Sequence, residues 1–172
     1  IEINAPDVAG DIRRPVHMSV VVDTSGSMAG KGKMDNARIA AAELVQQLGP
    51  QDTFSLVTFD DSARVVVPQS AVTDPSGLTR RVRQMRPEGG TNIYDGLQAG
   101  IAQLSQTSPD AVRRVVLLSD GKATVGIRDA DSLRALAGSQ ARSGISVSAM
   151  GLGLDYNEDR LAAMSDAGGG NY

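Results

Sequence analysis

The sequence has no cysteine, no tryptophan and a single histidine in 172 residues. Without cysteine there are no disulfides, no thiolate metal ligands and no thiol nucleophile. Three tyrosines and two phenylalanines leave little with which to stack nucleic-acid bases. Positive charge is not in excess: 17 Lys and Arg stand against 20 Asp and Glu, for a net charge of −3. That is the wrong sign for a binder of phosphate backbones. No apolar run approaches the roughly 20 residues that span a bilayer, and no basic-then-apolar signal segment follows Ile1. What is present is 41% hydrophobic and 22% charged, the composition of a globular domain rather than a disordered or collagen-like chain. The length suits one core. Because the first residue is Ile1 and the run Gly168 to Tyr172 reads as a turn into a further element, the chain is expected to be a domain cut from a longer protein.

Short β-branched runs alternate with helical patterns. Val16 to Val22 is a continuous apolar run, as in a strand buried on both faces. Met34, Ala37, Ala41, Leu44 or Val45, and Leu48 recur at helical spacing and end at Gly49-Pro50. Thr53 to Phe59 and Ala63 to Val67 are strands joined by Asp60-Asp61-Ser62, a link too short for a parallel crossover, so this pair is antiparallel. Pro68 puts the second of them at the sheet edge. Leu78, Val82 and Met85 mark a short helix, and Ile93, Leu97, Ile101 and Leu104 mark another. Val115 to Ser119 and Ile145 to Leu152 are further strands, with a helix around Leu133 to Ala141 between them and a last helix at Leu161 and Met164. The alternation predicts an α/β fold: a three-layer, doubly wound, mostly parallel sheet with one antiparallel edge strand.

In such a sheet, ligands bind beyond the carboxyl ends of the strands where the strand order reverses. The residues that follow the buried strands are Asp23-Thr24-Ser25-Gly26-Ser27 and Asp120-Gly121, and Gly89-Gly90-Thr91-Asn92 opens a helix. Together they offer two carboxylates and several hydroxyls, with no histidine. Hard oxygen donors select Mg²⁺, Mn²⁺ or Ca²⁺ over zinc or copper. Only two formal negative charges would face a divalent ion, which leaves it electrophilic toward another anionic oxygen. Taken segment by segment, the same residues also serve as ordinary turn formers and helix caps.

Val20 to Met28, with Asp23-Thr24-Ser25-Gly26-Ser27 at its centre, resembles the Asp-x-Ser-x-Ser signature of von Willebrand factor type A domains. Gly89-Gly90-Thr91-Asn92 is similar to that family's threonine segment, and Leu118-Ser119-Asp120-Gly121 to its final aspartate. The likeness runs from about residue 15 through Thr53 to Pro68 and on to Tyr172. Its style is that of bacterial and inter-alpha-trypsin-inhibitor-like members. It divides the chain into an extension over 1–15 and the domain over 16–172, with the family's final strand and helix lying beyond Tyr172. The resemblance implies a metal-ion-dependent adhesion site. Residues matching Ser25, Ser27 and Thr91 hold Mg²⁺ (or Mn²⁺ or Ca²⁺), and those matching Asp23 and Asp120 bind it directly or through water. An Asp or Glu of a protein partner takes the remaining position. The implied function is a non-enzymatic binding module, with an extracellular, periplasmic or cell-surface setting favoured over the cytoplasm.

Two other readings compete: a metal-dependent phosphoryl-transfer or hydrolytic enzyme, and a structural module whose metal ties down loops. Against the enzyme, Ser25 stands where a second carboxylate would follow a nucleophilic Asp, and no Gly-x-Ser-x-Gly elbow occurs. His17 lies at the wrong end of its strand for a triad. Gly26 to Lys31 is one residue short of a phosphate loop. Lys31 and Lys33 flank the metal loop and are read as solvated or as steering an acidic partner. Asp95 is read as a charge at a helix N-terminus or a supporting hydrogen-bond partner. Arg80, Arg81, Arg83 and Arg86 form a basic face. Asp23 and Asp120 are expected to repel each other across a metal-free site, so that Asp120→Ala leaves the fold intact.

Overall fold

The computed structural model describes residues 13–153 and 156–172; the expected extension therefore lies almost wholly outside the described residues. Along the chain run β1 (Val16–Asp23), a 3₁₀ turn (Gly26–Ala29), α1 (Lys33–Gln46), β2 (Thr53–Phe59), β3 (Ala63–Ala71), α2 (Pro75–Arg83) and α3 (Ile93–Leu104). They are followed by β4 (Val112–Ser119), α4 (Ala130–Arg142), β5 (Ile145–Gly151) and α5 (Glu158–Ala167). The five strands form one sheet in the order β3-β2-β1-β4-β5. β1 pairs parallel with β2 and β4, β4 pairs parallel with β5, and only β2–β3 is antiparallel. This is the expected three-layer α/β architecture.

Alternation along the central strands splits the core in two. Met18, Val20 and Val22 pack with Phe54, Leu56, Val116 and Leu118 under α1 and α2. Val21, Val57, Phe59, Val115 and Leu117 pack on the opposite face with α3, α4 and α5. α3 lies especially close to the sheet, because a Cβ at Gly96 would run into the Phe59 ring and one at Gly100 into Val21. That close approach fixes the helix whose N-terminal side carries Thr91.

β3 runs through Pro68 instead of stopping before it. The pairing with β2 shifts register around that point, from Leu56 opposite Val67 to Phe54 opposite Ser70. An edge strand accommodates the missing N–H there, since one side of it needs no partner. Beyond α5 the chain is more than a turn: Val147 N–H donates to Gly168 O at 3.0 Å and Ala149 N–H to Asn171 O at 3.1 Å, and Val147 bridges Gly169 in parallel.

At the amino end of the strands a buried carboxylate ties three segments together. Asp52 accepts the N–H of Val16 at 2.8 Å and of Gly49 at 2.7 Å, and its second oxygen also takes the Arg13 guanidinium. Burial by itself pushes the Asp52 carboxyl upward, but the two N–H donors and Arg13 outweigh it and hold it below the usual carboxylate range. A depressed folded-state pKa contributes stability above the unfolded value of about 4, which is lost as the pH falls through the folded value. Asp52→Asn is expected to cost about 1–3 kcal/mol at neutral pH. It should also flatten the loss of stability below pH ~4; chemical denaturation across pH checks both.

Candidate metal centre

The sheet order reverses between β1 and β4, so the loops that leave these neighbouring strands lead to helices on opposite faces of the sheet, the place where ligands bind in such folds. Asp23, the last residue of β1, is fully buried. One of its oxygens accepts the Ser25 N–H at 2.9 Å, and the other accepts the Ser119 hydroxyl at 2.6 Å. Ser119 in turn accepts the Gly121 N–H at 2.9 Å. Burial raises the Asp23 pKa above its ordinary value; the Ser119 and Ser25 bonds lower it in part, and the charge of Asp120 adds to the rise.

The 3₁₀ turn that follows brings the Ser25 and Ser27 hydroxyls within 3.1 Å of each other. Ser25 is buried and Ser27 exposed, so the pair leads from the buried carboxylate out to solvent. Gly26 N–H donates to Gly89 O at 3.0 Å, and a Cβ on Gly26 would sit 3.3 Å from that same oxygen. The Asp23 loop and the Gly89 loop thus meet backbone to backbone.

Thr91 is buried and clamped from two sides. Its N–H donates to the Thr124 hydroxyl at 2.9 Å, and its carbonyl accepts the N–H groups of Thr124 and Val125. On the other side, Gly90 N–H donates to Asp61 at 3.0 Å and Asn92 N–H to Asp60 O at 2.7 Å. Asn92 caps α3 by accepting the Asp95 N–H. Asp120 is fully buried, and its two oxygens accept the Lys122 N–H at 3.2 Å and the Lys33 ammonium at 2.9 Å.

All five expected residues therefore lie on three mutually contacting loops at one sheet edge. No cluster of three His, Cys, Asp or Glu occurs among the described residues. The donor set here is two carboxylates plus hydroxyls, oxygen throughout, which suits a hard divalent cation. That an ammonium already sits against Asp120 shows that this corner accepts positive charge.

Residues 18–122 match the family model for the von Willebrand factor type A domain. The chain belongs to that family. An uncharacterised protein of Synechocystis sp. is 30% identical over 161 residues, covering 94% of this chain and 38% of the relative. Inter-alpha-trypsin inhibitor heavy chain H2 of Mesocricetus auratus is 31% identical over 164 residues, covering 88% of this chain and 17% of its own. The chain thus spans less than two-fifths of either relative. Among solved structures, proximal thread matrix protein 1 from the mussel byssus, with a zinc occupied MIDAS motif, superposes with a TM-score of 0.76 at 20% identity. That alignment covers 92% of this chain and 41% of the mussel protein; at this identity the likeness is one of fold.

One feature of this type A domain departs from expectation. Lys33 is not solvated: its side chain is 4% exposed and bound to Asp120. Asp95 accepts the Ala63 N–H at 2.6 Å, which ties α3 to the β2–β3 turn. Arg80, Arg81 and Arg83 lie in the last turn of α2, where cations suit the helix dipole. His17 is the second residue of β1, about 20 Å from Asp23 by strand rise, at the far end as expected. Ser119, Asp61 and Thr124 hold the site together yet escape sequence reasoning. Only Ser119, directly before Asp120, stands where a search of the strand end would have found it.

The expected repulsion between the two carboxylates is present, since the charge of Asp120 raises the Asp23 carboxyl, but Lys33 is paired with Asp120 and offsets part of it. Asp120→Ala would take this carboxylate from a buried ammonium. It is expected to lower stability in EDTA, measured by urea denaturation, by about 1.5–3 kcal/mol, the worth of a hydrogen bond to a charged group, whereas repulsion alone predicts no loss.

Proposed function

We propose that this type A domain is a divalent-cation-dependent protein-binding module. In this reading Asp23, Ser25, Ser27, Thr91 and Asp120 hold Mg²⁺, or Mn²⁺ or Ca²⁺, and the module is the stretch 16–172. The observation that carries the reading is the Ser25–Ser27 hydroxyl pair, 3.1 Å apart, directly after a buried carboxylate and open to solvent on the Ser27 side. The bound ion would supply an electrophilic coordination position for a carboxylate of a partner protein. Around it, Ser119 and the Ser25 N–H orient Asp23, and the Thr124 and Asp61 contacts hold the Thr91 loop against it. The zinc at the mussel protein's motif is support from a protein of the same fold.

A binding role fits these residues better than catalysis. The one histidine is at the far end of β1, so no imidazole stands by the Asp23 and Ser25 oxygens. No described helix is long and apolar enough to cross a membrane, and the domain is read as working outside the cell, in the periplasm or at the cell surface.

Mg²⁺ at a hundredfold excess over its Kd is expected to stabilise the domain by about 2.7 kcal/mol, a rise in Tm of about 5–10 °C for this size. Ser27→Ala should leave the metal-free Tm almost unchanged, because the residue is exposed. It should weaken Mg²⁺ binding in calorimetry at least about tenfold, or 1.4 kcal/mol. A melt indifferent to millimolar Mg²⁺, Mn²⁺ and Ca²⁺ contradicts the reading. Partner capture that survives both EDTA and conversion of the partner's acidic residue to its amide would leave any metal a structural role.

A further inference from the structure

Lys33 is placed on Asp120 against three separate costs. Its side chain is 4% exposed, and a buried ammonium is tolerated only when paired. It is the first residue of α1, and a cation at a helix N-terminus opposes the helix dipole. The chain enters α1 through Lys31 at φ 54° and Gly32 at φ 70°. Lys31 is the one non-glycine residue at positive φ among those described, a backbone state that persists only where the surroundings enforce it. These two left-handed residues turn the chain so that the next side chain reaches back to the 2.9 Å contact with Asp120.

We propose that Lys33 is a tethered cation built into the metal site: it holds Asp120 in place when no metal is bound, and it lowers the site's affinity for divalent ions by sharing that carboxylate with them. The inference rests on the metal-binding reading above. Lys33 puts an ammonium 2.9 Å from one of the two buried carboxylates, so an entering ion faces a less negative site than Asp23 and Asp120 would make without it. Part of the attraction that would draw in the ion is already satisfied, so the site needs more metal to fill. It also avoids the collapse that two unpaired buried carboxylates would invite. An ion held by a site of low net charge keeps more of its positive charge for an incoming carboxylate, so the lysine favours capture of a partner over tight retention of the metal.

Isothermal titration of Mg²⁺ into the wild-type domain and into Lys33→Met tests this, together with melts of both in EDTA. The expected result is at least tenfold tighter Mg²⁺ binding by Lys33→Met, a lower Tm in EDTA and a larger Tm gain on adding metal. Lys33→Arg, which keeps the charge, should bind Mg²⁺ like the wild type or more weakly. Binding that is unchanged or weaker in Lys33→Met, with the wild type binding normally, overturns the role of the lysine and leaves the metal site standing. Silence from both proteins overturns both readings. Binding by Lys33→Met alone supports the lysine's role in its strongest form and removes metal-dependent capture from the natural chain. If Lys33→Met does not fold, the ammonium ¹H–¹⁵N spectrum of the wild type carries the test. A slowly exchanging Lys33 signal that shifts in step with Mg²⁺ supports the proposal, and one that stays fixed while the metal binds overturns it.

Discussion

Asp23 and Asp120 are carboxylates without solvent exposure at the ends of adjacent parallel strands. A buried carboxylate is costly unless hydrogen bonds or a cation compensate for the lost water. The architecture around this pair supplies both kinds of compensation. Asp23 is satisfied by Ser119 and the Ser25 N–H, Asp120 by the Lys122 N–H and the Lys33 ammonium.

The topology makes the pairing possible. Because β1 lies between β2 and β4, the loop after β1 meets the Gly89–Thr91 loop, while the loop after β4 reaches Thr91 through Thr124. α3 comes near enough to join them only because Gly96 and Gly100 present no Cβ to Phe59 and Val21. At the opposite end of the sheet, Asp52 performs a purely structural version of the same task, with Arg13 as its cation. One fold thus uses two buried carboxylate clusters, one locked by backbone donors and an arginine, the other left with a serine pair opening to solvent.

Much of this was legible in the sequence, for a physical reason. Strands buried on both faces are continuous apolar runs, so β1 and β4 stand out, and the three-residue link after Phe59 requires an antiparallel pair. The five oxygen-bearing site residues follow strands or open a helix, where chain order alone brings them to one edge. The legible part ends where side chains reach across the fold. Nothing local distinguishes Lys33 from Lys31, two residues away; the difference is made by the left-handed turn at Lys31 and Gly32 and by Asp120, 87 residues on. The staple at Asp52 is hidden in the same way, since two of its three donors come from residues well before it in the chain. Pro68 marked the edge strand correctly but not its end, because a register shift absorbs the missing N–H.

The central claim is that a cation at this sheet edge recognises a carboxylate, and a crystal structure grown in Mg²⁺ and acetate tests it most directly. One Mg²⁺ is expected beside the hydroxyls of Ser25, Ser27 and Thr91, with an acetate oxygen about 2.0–2.1 Å from the ion. Crystals soaked in millimolar Mg²⁺ that show no ion there, or an ion fully enclosed by protein groups with no position for acetate, would contradict it.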